Sequence, residues 1–218
     1  MLGAYARAVR PATGERWGGP VASGARIGIL GGTFDPVHVG HLVAAMRARE
    51  ALGLDRVLLV VANVPWQKAG TRPVTPAEDR FCVVSAAVDG VAGLEACRVE
   101  IDRGGPSYTA DTLAELRRDA PEAVPFVIVG ADVATELDTW QRVEEIRRTA
   151  TLVVVDRGGV TSGEDPPGWR LERLSIPALN ISSSELRRRL ADGRSVDFLV
   201  PEAAIRCIRR LDLYAGSR

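Results

Sequence analysis

Residues 26–62 read "RIGILGGTFDPVHVGHLVAAMRAREALGLDRVLLVVA" and carry the pattern that decides the fold. An apolar run at 26–30 predicts a buried strand, and a second run at 56–62 predicts another. Between them, apolar residues recur at helical spacing from His38 to Leu52, and Gly53 closes the pattern. A strand, a helix and a strand over this length indicate a right-handed βαβ unit.

The same alternation continues along the chain. Further strands are predicted at 94–101, 125–130 and 151–155, and further helices at 75–88, 108–119 and in segments up to residue 148. Continuous apolar strands that alternate with helices predict an α/β protein with a doubly wound parallel sheet covered on both faces. The Gly-, Ser- and Pro-containing stretch at 157–168 is predicted to be a surface loop.

Composition narrows the class of protein. Apolar residues make up 46% of the 218 residues, which suffices for a sizeable core. Lys and Arg number 28, as do Asp and Glu, so no net charge favours a nucleic acid or an anionic membrane as a partner. No apolar run approaches the length of a membrane span. The three cysteines, at 82, 97 and 207, form no CxxC pair, and we interpret them as reduced thiols of a cytoplasmic protein.

The first 25 residues are rich in Gly, Ala, Arg and Pro and lack the apolar centre of a signal peptide. We expect residues 1–25 to form a disordered extension, and residues 26–218 to form a single domain.

Both histidines of the chain, His38 and His41, follow the glycine pair Gly31-Gly32 at the predicted strand-to-helix junction. In doubly wound sheets ligands bind beyond the carboxyl ends of the strands, and a helix N-terminus there suits phosphate. The stretch is neither GxxxxGK[ST] nor GxGxxG, which disfavours a P-loop ATPase and an ordinary dinucleotide-binding dehydrogenase. No paired cysteines or HExxH pattern accompany the histidines, so no metal site is predicted.

Two stretches carry a resemblance to a known superfamily. "GGTFDPVHVGH" (31–41) resembles the nucleotidyltransferase signature, in which an HxGH element holds the phosphates of a nucleoside triphosphate. "ISSSELR" (181–187) resembles the second half of that signature. Taken alone, the second stretch is equally an ordinary helix start, with Ser182 as N-cap and Glu185 three residues later.

Three further stretches narrow the resemblance. "VPWQK" (64–68), "PSYTADTL" (106–113) and "GADVATELDTW" (130–140) are similar to elements of bacterial nicotinate mononucleotide adenylyltransferases. The similarity runs from Arg26 to about Leu213, and the PWQK form resembles an actinobacterial variant. Many members have a histidine where this chain has Gln67.

The resemblance implies a Rossmann-like nucleotidyltransferase fold, with ATP and nicotinate mononucleotide as substrates and Mg²⁺ carried mainly by the ATP phosphates. It implies catalytic roles for His38, His41 and Arg187. The residues that it assigns to ATP are Gly31, Gly32, Thr33, Phe34, His38, His41, Gly130, Asp132, Ile181, Ser182, Ser183 and Arg187. Those that it assigns to the acceptor are Lys68, Thr109 and Trp140.

Several of these residues have a structural alternative. Lys68 is equally explained as a solvated surface lysine, Asp132 as a helix N-cap, and Trp140 as a packing anchor between two helical segments. Two other functions stay open: an HxGH adenylyl- or cytidylyltransferase that acts on another acceptor, such as phosphopantetheine, and a non-catalytic nucleotide-binding module. The sequence also leaves the oligomeric state open, a homo-oligomer included.

Overall fold

The structure, a computed structural model, describes residues 15–17, 19–65, 73–157 and 165–216. Within these ranges, six strands form one sheet in the order β3-β2-β1-β4-β5-β6, and every neighbouring pair is parallel. The strands are β1 (Arg26–Gly32), β2 (Arg56–Val61), β3 (Leu94–Cys97), β4 (Val124–Gly130), β5 (Thr151–Arg157) and β6 (Leu171–Ile176). The predicted α/β class with a doubly wound parallel sheet is confirmed.

Helices connect the strands and cover the sheet. They are α1 (Val39–Leu52), α2 (Ala77–Val88), α3 (Val99–Arg103), α4 (Thr109–Asp119), α5 (Ala131–Ala134), α6 (Val143–Thr149), α7 (Ser183–Ala191) and α8 (Glu202–Arg210). Two short 3₁₀ turns, Glu15–Trp17 and Leu137–Thr139, also occur in the described ranges. None of the helices in those ranges is long and apolar enough to cross a membrane.

Each face of the sheet is buried in its own apolar cluster. In β2, Val57, Leu59 and Val61 belong to the first apolar cluster, whereas Leu58 and Val60 belong to the second. Successive side chains of a strand point to opposite faces, so a strand covered on both faces must be apolar at every position. This explains the continuous apolar runs that predicted the strands.

Two elements differ from the expectation. The strand predicted over 94–101 ends at Cys97, because Arg98 leaves the extended conformation (φ −104°, ψ 11°) and α3 begins at Val99. Strand β6 was not predicted at all. It lies at the sheet edge and buries only Ile176 fully, so its sequence "LERLSI" lacks the apolar run of a central strand.

Of the residues expected to form a disordered extension, 15–17 and 19–25 are described, and they make contacts with the domain. Trp17 is 1% exposed in the second apolar cluster, and its Nε1 donates to Oδ2 of Asp119 at 3.1 Å. Arg56 donates to the carbonyls of Gly19 and Pro20. One buried indole in a Gly- and Arg-rich stretch produces no periodic pattern, so sequence reasoning missed it. Residues 1–14 and 18 lie outside the described residues.

The chain order creates a crevice between β1 and β4. From β1 the chain moves outward to β2 and β3, then returns to the other side of β1 to form β4 and β5. The connections leaving β1 and β4 therefore diverge at the carboxyl edge of the sheet. A ligand-binding crevice is expected at such a switch point.

Candidate active site

A cavity of about 430 Å³ opens at this switch point. Its wall is formed by the carboxyl ends of β1 and β4, the start of α1, the start of α4 and the first residue of α7. The sequence-predicted residues that line it are Gly31, Gly32, Thr33, Phe34, His41, Thr109, Gly130, Asp132, Trp140 and Ser183. The tertiary structure thus brings both groups of predicted residues, those for ATP and those for the acceptor, to one cavity.

The two histidines form a stacked pair at the start of α1. Their ring centroids are 3.7 Å apart, with 27° between the planes. His38 is the N-cap and is only 2% exposed, whereas His41 is half-buried and lies on the cavity wall. The backbone N–H of His38 donates to Nδ1 of His41 at 3.2 Å. Because Nδ1 accepts this bond, a neutral His41 carries its proton at Nε2.

The predicted helix-start site is only partly open to a ligand. The N–H of Val39, in the first turn of α1, donates to the carbonyl of Leu199 at 2.9 Å. This amide is therefore used within the protein. The positive end of the α1 dipole still lies beside His41.

Residues 31–41 form the histidine loop, and two of its glycines lie in close contact with neighbouring rings. A Cβ on Gly32 would lie 2.9 Å from the ring of Phe34, which itself has a φ of 49°. A Cβ on Gly40 would lie 3.1 Å from the ring of His38. By contrast, a Cβ on Gly31 would meet nothing within 4 Å, so the space above this residue is open to a ligand.

Helix α7 docks directly onto the histidine loop. Nη1 of Arg187 donates to the carbonyl of Asp35 at 2.7 Å, and Oγ of Ser183 donates to the carbonyl of Pro36 at 2.9 Å. The resemblance coupled "ISSSELR" to the histidine loop, and these two bonds join them. Ser182 is the N-cap of α7 and accepts from the N–H of Glu185 at 3.2 Å, as expected of an ordinary helix start.

Four residues assigned to ATP lie outside the cavity lining. Arg187 binds the histidine loop through the carbonyl of Asp35 and also donates to Oγ of Ser184. The other three are His38, Ile181 and Ser182. Of these four, Arg187 and His38 contact the histidine loop or its His41 ring, whereas Ser182 caps α7 and Ile181 packs against the first apolar cluster.

Arg80 is a residue of the site that sequence reasoning missed. It is 1% exposed, and its guanidinium donates to the carbonyls of four residues: Thr33, Ala62, Asn63 and Thr75. These carbonyls belong to the segments that follow β1 and β2 and precede α2. One buried cation thereby fixes three connections beside the cavity. An arginine within the mostly apolar helix 77–88 was the available signal.

Glu100 is a second missed residue. It lines the cavity, is 7% exposed and accepts a hydrogen bond from Oγ1 of Thr112 at 2.6 Å. Burial raises the pKa of this carboxyl group, although hydrogen bonds from Ser107 and Thr112 act in the opposite direction. Glu100 thus anchors the segment that presents Thr109 to the cavity.

On the β4 side, Gly130 and Asp132 occupy the start of α5. A Cβ on Gly130 would lie 2.5 Å from Oδ1 of Asp132, so the Asp132 carboxylate lies directly beside this glycine and would have to move for any larger residue. Asp132 is exposed and lines the cavity. No group of three His, Cys, Asp or Glu side chains in the described ranges is arranged to hold a metal ion.

Comparison with known proteins identifies the family. The cytidylyltransferase-like family model matches residues 29–189. Three curated bacterial proteins share the name "Probable nicotinate-nucleotide adenylyltransferase". One from Thermus thermophilus is 47% identical, with 87% of this chain and 99% of that protein covered. Those from Saccharopolyspora erythraea and Streptomyces coelicolor are 43% and 42% identical, covering 88% and 86% of this chain and 90% and 100% of theirs. The chain belongs to the nicotinate-nucleotide adenylyltransferase family.

Solved structures of low sequence identity support the fold. Plasmodium falciparum nicotinic acid mononucleotide adenylyltransferase, complexed with NaAD, superposes with a TM-score of 0.71 at 18% identity. The aligned region covers 87% of this chain and 97% of that one. A second structure of that protein, complexed with APC, gives a TM-score of 0.67. The Rossmann-like nucleotidyltransferase fold is confirmed.

The acceptor residues implied by the family are only partly described. Thr109 begins α4 and Trp140 follows the 3₁₀ turn at Leu137–Thr139; both are half-buried and line the cavity. Trp140 also packs against the second apolar cluster, so its position fits both alternatives, contact with the acceptor and packing in the core. Lys68 and Gln67 lie outside the described residues, and their roles stay predictions.

Proposed function

We propose that this chain transfers the adenylyl group of ATP to nicotinate mononucleotide, forming nicotinate adenine dinucleotide and releasing pyrophosphate, as a step of NAD biosynthesis. ATP enters as its magnesium complex, with the ion held mainly by phosphate oxygens and water. The observation that carries the proposal is the docking of α7 on the histidine loop at the open cavity, through Arg187 to Asp35 and Ser183 to Pro36. Membership of the family supports the choice of substrates.

The chemistry asks the protein for positioning and charge neutralisation. A phosphate oxygen of nicotinate mononucleotide attacks the α-phosphorus of ATP in line, and the bond from that phosphorus to the pyrophosphate oxygen breaks. The nucleophile is already anionic, so no side chain has to remove a proton from it. The barrier falls when both phosphates are held in line and the developing charge is met by fixed donors.

His41 is the donor best placed for the transferred phosphate. Its ring is held by stacking on His38 and by the bond into Nδ1, so Nε2–H has a fixed direction on the cavity wall. A donor that needs no reorientation stabilises transition-state charge most effectively. Arg187 and His38 act indirectly. Arg187 holds the backbone of the histidine loop, and His38 holds the ring of His41.

The two halves of the cavity divide the substrates. The open space above Gly31, with Asp132 across the crevice, suits the phosphates and the adenosine of ATP. The pocket between Thr109 and Trp140 suits the flat pyridine ring of the acceptor, and Lys68 would supply a cation to its phosphate. Glu100, which accepts from Thr112 of α4, is a positioning residue in this scheme.

The decisive experiment measures pyrophosphate release for each pairing of ATP or CTP with one of three acceptors: nicotinate mononucleotide, nicotinamide mononucleotide and phosphopantetheine. We expect ATP with nicotinate mononucleotide to give the highest kcat/KM. The amide should react more slowly, because donors arranged for a carboxylate are mismatched by an NH₂ group. Preferred use of phosphopantetheine or CTP would reassign the enzyme, and nucleotide binding without any pyrophosphate release would indicate a non-catalytic module.

A further inference from the structure

Two cysteine side chains meet between α2 and α8, on the face of the sheet that the first apolar cluster covers. Cys82 lies on α2 and Cys207 on α8, 125 residues apart in sequence, and their Sγ atoms are 2.9 Å apart. Both are free thiols in this structure. A disulfide bond has an S–S length of about 2.05 Å. The two sulfurs would therefore have to move less than about 1 Å closer to reach covalent bonding distance.

A cation sits beside both sulfurs. Nη2 of Arg210 is 3.2 Å from Sγ of Cys82 and 3.6 Å from Sγ of Cys207. A neighbouring guanidinium favours the thiolate, which is the nucleophilic form of cysteine. The two thiols nevertheless differ in access: Cys82 is half-buried, whereas Cys207 is 4% exposed, and burial raises the pKa of Cys207 to about 11. An external reagent therefore meets Cys82 first.

We propose that Cys82 and Cys207 form a reversible disulfide that covalently joins α2 to α8 when a low-molecular-weight disulfide is present as oxidant. The Cys82 thiolate attacks one sulfur of the oxidant, breaks its S–S bond and releases one small thiolate. Cys207 gives its proton to water and attacks the Cys82 sulfur of the mixed disulfide, which releases the second small thiolate. Two protein thiols are oxidised, and one small disulfide is reduced to two thiols.

The bond would join two of the elements that hold the histidine loop. Helix α2 carries Arg80, which binds the carbonyl of Thr33, and α8 leads into Tyr214, whose hydroxyl donates to Asp35. Neither cysteine lines the cavity. The crosslink therefore ties the supports of the loop together without entering the space for substrates, and it should stabilise the fold.

The third cysteine provides the matched control. Cys97 is fully buried in the second apolar cluster, and its Sγ donates to the carbonyl of Arg16 at 3.2 Å. Burial raises the pKa of Cys97 to about 12. Cys82 and Cys207 belong to the first apolar cluster, on the opposite face of the sheet, so Cys97 should take no part in the reaction.

The test uses the full chain, incubated with oxidised glutathione and compared with the dithiol-reduced chain. We expect the intact mass to fall by two hydrogen atoms, and a non-reducing peptide map to contain the peptides of Cys82 and Cys207 linked together. Closing a loop of this length should raise Tm by about 10 °C, and a dithiol should reverse the shift. These readouts need no enzymatic activity, so their failure would leave the proposed function unaffected.

Three variants separate the steps. In Cys207→Ser and in Cys207→Ala, Cys82 should retain one glutathione as a mixed disulfide, with no rise in Tm. Cys97→Ser should still form the Cys82–Cys207 disulfide and show the same rise in Tm on oxidation as the unmodified chain. The proposal is overturned if the unmodified chain shows no Cys82–Cys207 peptide, if it stops at the mixed disulfide, or if the linked protein melts no higher than the reduced one.

Discussion

The hydroxyl of Tyr214 donates a 2.8 Å hydrogen bond to Oδ1 of Asp35, across 179 residues of sequence. Asp35 is 1% exposed, and its backbone carbonyl accepts from Arg187. Burial, together with the charge of Asp35, raises the pKa of Tyr214, so this phenol stays protonated as the donor. One buried carboxylate thus joins the histidine loop to the segment that follows α8.

Replacing Tyr214 by Phe removes this hydroxyl and keeps the ring. The buried carboxylate then loses a donor, which should cost about 1–3 kcal/mol of the free energy of unfolding. Urea denaturation at neutral pH measures the loss. We also expect a lower kcat, because the loop that presents His41 is less firmly held. Unchanged stability would mean that Asp35 does not depend on Tyr214.

Removing the His41 side chain should reduce turnover much more than substrate binding. In His41→Ala, we expect kcat to fall by a factor of about 10²–10³, the effect of losing one preorganised donor, with small changes in the KM of either substrate. Steady-state kinetics of pyrophosphate release measure both constants.

His38→Ala is the comparison for that variant. The His38 ring is 2% exposed and stacks on the ring of His41, so its loss should lower Tm as well as kcat. A near-normal kcat in His41→Ala would exclude His41 from the mechanism.

Trp140→Ala tests whether the indole stacks on the acceptor. Stacking on a flat heterocycle contributes about 1–3 kcal/mol, so the affinity for nicotinate mononucleotide should fall about 10- to 100-fold while ATP binding is retained. Calorimetric titration with each substrate measures the two affinities.

Trp17→Ala provides the matched packing control. Trp17 is 1% exposed in the same apolar cluster, and its truncation should cost about 3–5 kcal/mol of stability without changing acceptor affinity in the folded protein. If Trp140→Ala instead loses as much stability as Trp17→Ala and binds the acceptor normally, Trp140 is a packing anchor.

Glu100→Gln should stabilise the protein in a pH-dependent manner. Burial raises the native pKa of Glu100 above that of the unfolded chain, which is about 4.3, so the native state binds the extra proton. The wild type therefore loses stability as the pH rises from about 4.3 through the native pKa. Gln keeps an oxygen that accepts from Thr112 and never ionises.

Urea denaturation between about pH 4 and pH 8 checks this prediction, with Glu172→Gln, at an exposed position on β6, as the control. The stability difference between Glu100→Gln and the wild type should grow as the pH rises and vanish below the unfolded pKa. A difference that does not vary with pH would show that ionisation of Glu100 has no part in it.

The sequence by itself determined the four central strands of the sheet and the position of the histidine loop. Strands buried on both faces need apolar side chains at every position, so 26–30, 56–62, 125–130 and 151–155 were predicted from the letters alone. The glycines and histidines of the loop are adjacent in sequence, so their placement at a strand-to-helix junction is a local property. The resemblance added the expectation that residues 181–187 would reach the same place.

Only the tertiary structure decided which side chains form the cavity wall and which support it. Arg187, predicted to touch phosphate, holds the carbonyl of Asp35, whereas Arg80, Glu100 and Tyr214 became visible only as partners of distant residues. Hydrophobic periodicity reports the burial of one residue among its sequence neighbours. A hydrogen bond between positions 35 and 214 depends instead on how α8 packs against α2, and no short-range pattern encodes that distance.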